Sequence, residues 1–188
     1  MSKQFDFSKA QEQTTFSIIP EGTLAKIRMT IIPGYHNDDS KGWTDGLVTQ
    51  GTTGAAYLKA KFEILDNSEL KGRYVTSLIG MYSPKGDVYR DIGRTFIRSA
   101  LESAKDIHPK DTSSNAMEAK KANLKDLDGL VFAVKISVAK DLKGNDRNEV
   151  KTVITPSHPR YYEFMPKQNS FQASVSNEVI DDSVPSFK

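Results

Sequence analysis

Five segments of the chain are predicted to be β-strands, and where apolar and polar residues alternate in them, the period of two residues predicts one buried face. The clearest segment is 21–33, in which every second side chain from Ala25 to Ile31 is apolar and the residues between are polar. The other predicted strands are residues 55–65, 73–81, 130–139 and 147–155. The polar members of each segment are expected to face solvent.

The apolar period becomes helical between the third and fourth predicted strands. Apolar residues recur there every three or four positions from Ile92 onward, which predicts a helix over residues 91–106 that ends before His108-Pro109. The predicted fold is therefore mainly β: a five-stranded OB-fold-like antiparallel barrel with one helix between strands 3 and 4. A split β-sandwich and an irregular α+β domain remain open alternatives.

A polar, glycine-rich stretch, residues 34–54, separates the first two predicted strands and contains the only tryptophan, Trp43. Its composition predicts a long loop without regular structure, and loops of this length are often functional. In an OB-fold the corresponding loop contacts oligonucleotides, as does the sheet face beside it.

The chain turns polar after residue 165, which divides it into one domain, residues 1–165, and a tail, residues 166–188. The tail has too few apolar residues to offset the entropy of ordering it, so we expect a flexible arm. Its tip combines carboxylates with apolar side chains, which suits a small basic-rimmed pocket on a partner protein. The expected partner-binding residues are Asp181, Asp182, Val184, Pro185 and Phe187.

Composition limits the remaining possibilities. The 188 residues carry a net charge of only +2, and there is no cysteine to form a disulfide or a thiolate metal site. No apolar run is long enough for a membrane span, and the start lacks the apolar core of a secretion signal. We therefore expect a cytoplasmic location.

Cations and aromatic rings occur together on the polar faces of the first strands. Single-stranded DNA binding requires both, because cations follow the phosphates and bases stack on rings. The expected nucleic-acid-binding residues are Lys26, Arg28, Tyr35, Trp43, Tyr57, Lys59, Lys61, Arg73, Tyr74 and Tyr82. In the alternative interpretation, these lysines only keep a sheet soluble and Trp43 folds back onto the body.

Enzyme signatures are weak. The cluster His36, Asp38 and Asp39 has the residue types of a metal-dependent nuclease, but polar turns commonly have this composition. Arg90, Arg94 and Arg98 share one face of the predicted helix, and we interpret that face as solvated, with phosphate contact as the alternative. No nucleotide-binding or hydrolase motif is present, so we expect no enzymatic activity and no cofactor.

Five short phrases stand out between residues 5 and 155. They are Phe5-Asp6-Phe7-Ser8-Lys9, Ile19-Pro20-Glu21-Gly22-Thr23, the run from Tyr57 to Ile64, Leu70-Lys71-Gly72-Arg73 and Leu127-Asp128-Gly129-Leu130. Together they resemble single-stranded DNA-binding proteins of phages and mobile elements. The acidic tip is similar to the tails with which such proteins recruit replication and repair enzymes, although Ser186 and Lys188 depart from the usual Pro-Phe ending.

The resemblance implies an OB-fold protein that coats single-stranded DNA with little sequence preference during phage or mobile-element replication or recombination. Its expected partners are the DNA and, through the tail, replication or recombination proteins; exposed strand edges are compatible with a homodimer. The leading alternative is a protein-interaction module, an inhibitor or adaptor of a host nuclease or polymerase, with the same fold and no DNA binding.

Overall fold

Seven β-strands and three helices account for the regular structure in the computed structural model, which describes residues 6, 8–9, 17–66 and 69–167. The strands are β1 (Leu24–Ile32), β2 (His36–Asp38), β3 (Trp43–Gln50), β4 (Ala56–Ile64), β5 (Tyr74–Tyr82), β6 (Val131–Lys140) and β7 (Asp146–Ile154). The helices are α1 (Val88–Ala104), α2 (Ser114–Ala119) and α3 (Tyr161–Phe164). Single 3₁₀ turns lie at Asp39–Lys41 and Leu124–Leu127. The molecule is thus mainly β, as predicted.

All seven strands belong to one antiparallel sheet that curls into a half-barrel. Strand β4 lies at its centre: β5 pairs along one edge, while β1 and then β3 share the other. β6 pairs with the far edge of β1, and β7 with β6. β7 also contacts β5, because the Val150 amide donates a hydrogen bond to Ser77 Oγ at 3.0 Å.

The alternating residues of β1 and β4 bury one face, as their pattern predicts. Met29, Leu58 and Phe62 are fully buried in the core, whereas the residues between them face outward. The rings of Phe62 and Phe132 meet edge to face at 6.3 Å, and the Phe96 ring of α1 packs against both. Helix α1 therefore covers the open end of the apolar core.

The prediction of an unstructured loop over residues 34–54 is wrong, and so is the count of five strands. This segment contains β2, a 3₁₀ turn and β3. Two apolar side chains hold it in place, since Trp43 and Val48 are buried in the main core. The Asn37 side chain also accepts a hydrogen bond from the Gly46 amide at 2.8 Å. Two buried anchors among so many polar residues produce no visible alternation, which is why the pattern did not predict these strands.

Helix α1 begins three residues before its predicted start and approaches β5 very closely. A Cβ atom at Gly93 would lie 1.8 Å from the Gly80 carbonyl oxygen, and a Cβ at Gly80 would lie 2.3 Å from the Tyr89 carbonyl oxygen. Only a pair of glycines permits backbones to approach to this distance. The pair fixes the helix against the sheet.

A second, smaller core lies where the chain passes α3. Tyr161 packs with Ala133 and Ile154, so the aromatic residues after β7 belong to the folded body. Within the described ranges, no helix is long and apolar enough to cross a membrane.

Asn148 of β7 holds the segment that precedes β1. Its side chain accepts from the Ile19 amide and donates to the Ile19 carbonyl, both at 2.8 Å, and Ile19 is buried. Because each such hydrogen bond contributes about 1 kcal/mol, Asn148→Ala is expected to lower the free energy of unfolding by about 2 kcal/mol. Urea denaturation measures this change. Asn115→Ala, at an exposed helical position, should change stability by less than about 0.5 kcal/mol.

Candidate nucleic-acid interface

The solvent side of β1, β4 and β5 forms one continuous surface, called here the outer sheet face. The register sets it out in rows across the three strands: Arg28, Glu63 and Tyr74; Thr30, Lys61 and Thr76; Ile32, Lys59 and Leu78. Tyr57 follows at the end of β4, opposite Gly80. Five of the predicted residues therefore share this surface: Arg28, Tyr57, Lys59, Lys61 and Tyr74.

Lysine and tyrosine side chains meet at the centre of the outer sheet face. The Lys61 ammonium lies 4.2 Å from the centroid of the Tyr74 ring, and that ring is 61% exposed. Lys59 projects from the same face, is exposed, and forms no ion pair with a described residue. Leu78 lies opposite Lys59 and adds an exposed apolar side chain. This arrangement offers positive charge and a flat ring within one contact distance.

Other predicted residues on this face are less available. Arg28 pairs with Glu63 across the strands at 3.8 Å, so part of its charge is balanced. Tyr57 is half-buried beside Tyr89 of α1, and desolvation together with this neighbour raises the pKa of Tyr89. Tyr57 therefore borders the surface, and its ring is not free to stack with a base.

Lys26 and Arg73 lie outside the rows. Lys26 is half-buried on β1 opposite Ala133, and its amide donates to Asp66 Oδ2 at 2.8 Å. The Arg73 guanidinium donates to the Ser17 carbonyl and so holds the segment before β1. In this structure both cations border the candidate interface.

Tyr35 occupies the turn between β1 and β2 in an unusual conformation. Its φ angle is 59°, a left-handed value that non-glycine residues seldom adopt, and its side chain is 85% exposed. Hydrogen bonds from the Gly34 and Tyr35 amides to the Gly46 carbonyl, at 3.0 and 2.7 Å, hold the turn. A fully presented ring on a fixed backbone is suited to stacking against a planar ligand.

Trp43 and Tyr82 lie elsewhere, in a separate cavity of about 670 Å³, called here the Trp43–Tyr82 pocket. Trp43 is only 6% exposed, so the ring does fold back onto the body and is not displayed in a loop. Four segments meet at this pocket: residues 40–44, the end of β5, α1 and residues 122–124. Its side chains include Lys41, Trp43, Met81, Tyr82, Arg90 and Arg94.

Lys41 connects the two rings of this pocket. Its ammonium lies 5.2 Å from the Trp43 ring centroid and 5.4 Å from that of Tyr82, within the range of cation–π attraction. It also pairs with Asp38, whose carboxylate accepts a 2.6 Å hydrogen bond from Ser40 Oγ. The hydrogen bonds from Lys41 and Ser40 lower the pKa of Asp38 to about 2, so this carboxylate is ionised at neutral pH.

The proposed nuclease residues do not converge. His36 packs edge-on against Trp43 with ring centroids 6.0 Å apart, and Asp38 binds Lys41 and Ser40. In the part of the chain that the structure describes, no three His, Cys, Asp or Glu side chains are grouped as metal ligands would be.

The sequence predicts a solvated helix face for Arg90 and Arg94, two of the residues that line the pocket. Their spacing of four residues was visible, but the sequence does not show that β3 and residues 122–124 fold over that face. Arg98 differs from them, because it binds the buried Glu102 at 2.9 Å. Arg90 and Arg94 line the pocket, whereas Arg98 does not.

The predicted partner-binding residues Asp181, Asp182, Val184, Pro185 and Phe187 lie outside the described residues. The sequence of the whole chain matches no protein-family model and no curated protein.

Proposed function

We propose that this protein binds single-stranded DNA on its outer sheet face, without sequence preference and without catalysing a reaction. The observation that carries the proposal is the group formed by Lys59, Lys61 and Tyr74. It combines cations for phosphates with an exposed ring on which any base can stack. None of these contacts distinguishes one base from another.

The strand order supports assignment to the OB-fold class as part of this proposal. If β2 and β3 are set aside as an elaboration of the first connection, β1, β4 and β5 form a meander, α1 follows, and β6 and β7 form the closing hairpin. Proteins of that class bind oligonucleotides on the corresponding sheet face. The outer sheet face is therefore the surface on which a protein of this class would bind single-stranded DNA.

The biological setting in this proposal is replication or recombination of phage or mobile-element DNA. The sequence resemblance and the acidic tip support it, the tip by recruiting a replication or recombination protein. A non-specific coating protein requires such a second contact to bring enzymes to DNA that it covers.

Tyr74 provides the test of base stacking. Tyr74→Ala is expected to weaken binding of a thymidine oligonucleotide about tenfold, because stacking on one ring contributes about 1–3 kcal/mol. Fluorescence anisotropy of a labelled strand measures the affinity. Tyr162→Ala, which removes an exposed tyrosine of α3, is the matched control and should leave the affinity unchanged. Equal losses in both variants would contradict stacking at Tyr74.

A further inference from the structure

We propose that the Trp43–Tyr82 pocket is a second site, which binds a nucleoside phosphate. The planar base would pack against the aromatic side and the phosphate would bind Arg94, with Lys41 and Arg90 nearby. The inference stands on the pocket alone and does not require that DNA bind the outer sheet face. Two sources share this chemistry, a free mononucleotide and the phosphorylated end of a DNA strand.

The size and walls of the pocket suit such a ligand. About 670 Å³ falls within the range of small-molecule sites, and the cavity is bounded by several independent segments of chain. Met81, Ile97 and Leu124 provide apolar surface beside Tyr82, whose ring is 39% exposed. A base placed against Tyr82 would therefore be flanked by apolar atoms on a surface that is already formed.

The charge of the lining favours an anion. Three cations line the pocket, and no carboxylate is among the lining residues. Two of these cations form ion pairs with carboxylates that do not line the pocket. Arg90 pairs with Asp87 at 2.9 Å and with Asp91 at 3.1 Å, and Lys41 pairs with Asp38. Arg94 is exposed and forms no ion pair with any described residue.

The unmatched arginine determines the chemical class of ligand. A guanidinium presents two parallel N–H donors that fit the oxygens of a phosphate, and arginine is favoured for that role. The exposed ring of Tyr82, beside Lys41, supplies a surface for a planar group, which inorganic phosphate alone would not use. Ring and cation together indicate a phosphorylated heterocycle.

Trp43 allows the pocket to be observed separately from the sheet. It is the only tryptophan in the chain, and it lines the pocket, so its fluorescence reports on that site. Thymidine monophosphate, inorganic phosphate, and one oligonucleotide with either a 5′-phosphate or a 5′-hydroxyl would be titrated. A fluorescein at the 3′ end of each strand reports total binding by anisotropy, and calorimetry records the binding of the small ligands.

We expect saturable quenching of Trp43 by thymidine monophosphate and a weaker response to inorganic phosphate. Stronger quenching by the 5′-phosphate strand than by both its 5′-hydroxyl form and the mononucleotide would identify the strand end as the source. Arg94→Gln is expected to weaken the Trp43 response at least about tenfold, because hydrogen bonds to charged groups are the strong ones. Lys59→Gln, on the outer sheet face and outside the pocket lining, should leave the Trp43 response to thymidine monophosphate unchanged while weakening strand binding.

Three results would overturn the inference. They are no Trp43 response and no calorimetric signal with any phosphorylated ligand, an equal response in Arg94→Gln, and equal affinities for inorganic phosphate and thymidine monophosphate. If the strand still binds by anisotropy but Trp43 does not respond, the pocket proposal fails and the proposal that DNA binds the outer sheet face stands. If Trp43 responds to the mononucleotide but no strand binds, the pocket proposal stands and the proposal for the outer sheet face fails.

Discussion

Replacement of both Lys59 and Lys61 by glutamate is expected to weaken binding of single-stranded DNA at least about 50-fold at about 50 mM salt. For single strands each phosphate contact contributes about 0.7 to the slope of log K against log salt, or roughly 0.9 log units of affinity at that salt. Loss of two contacts therefore removes nearly two log units, and the new carboxylates add repulsion. Anisotropy titration of a fluorescein-labelled thymidine oligonucleotide measures the change.

The matched control for this double variant is Lys110→Glu with Lys121→Glu. Both lysines are exposed and lie outside the outer sheet face, and the change in net charge is the same. This control should lose only the small affinity expected from overall charge. If both double variants lose affinity equally, attraction is a property of the whole molecule and the outer sheet face is not the site.

Gly93→Ala is expected to destabilise the protein by about 3 kcal/mol, the upper end of the usual range for overpacking. The added methyl would lie 1.8 Å from the Gly80 carbonyl oxygen, and that atom belongs to the backbone of β5, so it cannot rotate away. Helix α1 must move off the sheet, which opens the contact of Phe96 with Phe62 and Phe132. The intrinsic helix preference for alanine offsets only about 1 kcal/mol.

Urea denaturation followed by circular dichroism gives the free energy of unfolding for this comparison. Thr95→Ala, an exposed substitution on the same helix, should stay within about 0.5 kcal/mol of the unmodified protein. Unchanged stability in Gly93→Ala would mean that α1 does not approach β5 as closely as described.

The alternation of apolar and polar residues was sufficient to predict the strands that bury one face along most of their length. Between Ala25 and Ile31 of β1 and between Leu58 and Ile64 of β4, buried apolar residues alternate with polar residues that face out, so a period of two appears in the sequence. Strands β2 and β3 lack that period, because their burial depends on Trp43 and Val48 against a core that the rest of the chain builds. Such anchors become visible only in three dimensions.

Of the two candidate sites, one could be predicted from the local sequence pattern and the other could not. The outer sheet face was predictable, since alternation alone places Lys59 and Lys61 on one side of β4. The Trp43–Tyr82 pocket was not, because it joins segments that range from residue 40 to residue 124. Arg94 and Trp43 are 51 positions apart in the sequence, and only the folding of residues 40–44 beside α1 brings them to one cavity.

The central claim is that the outer sheet face binds single-stranded DNA, and anisotropy of a 5′-hydroxyl, 3′-fluorescein thymidine oligonucleotide over a series of salt concentrations tests it most directly. The strand carries no terminal phosphate, so binding of a terminal phosphate at the second site does not contribute. We predict saturable binding at low salt, with log K falling linearly against log salt at a slope of roughly −1.5 to −3 for two to four phosphate contacts. No change in anisotropy at low salt with protein in large excess would contradict the claim, and the protein-interaction alternative would then be favoured.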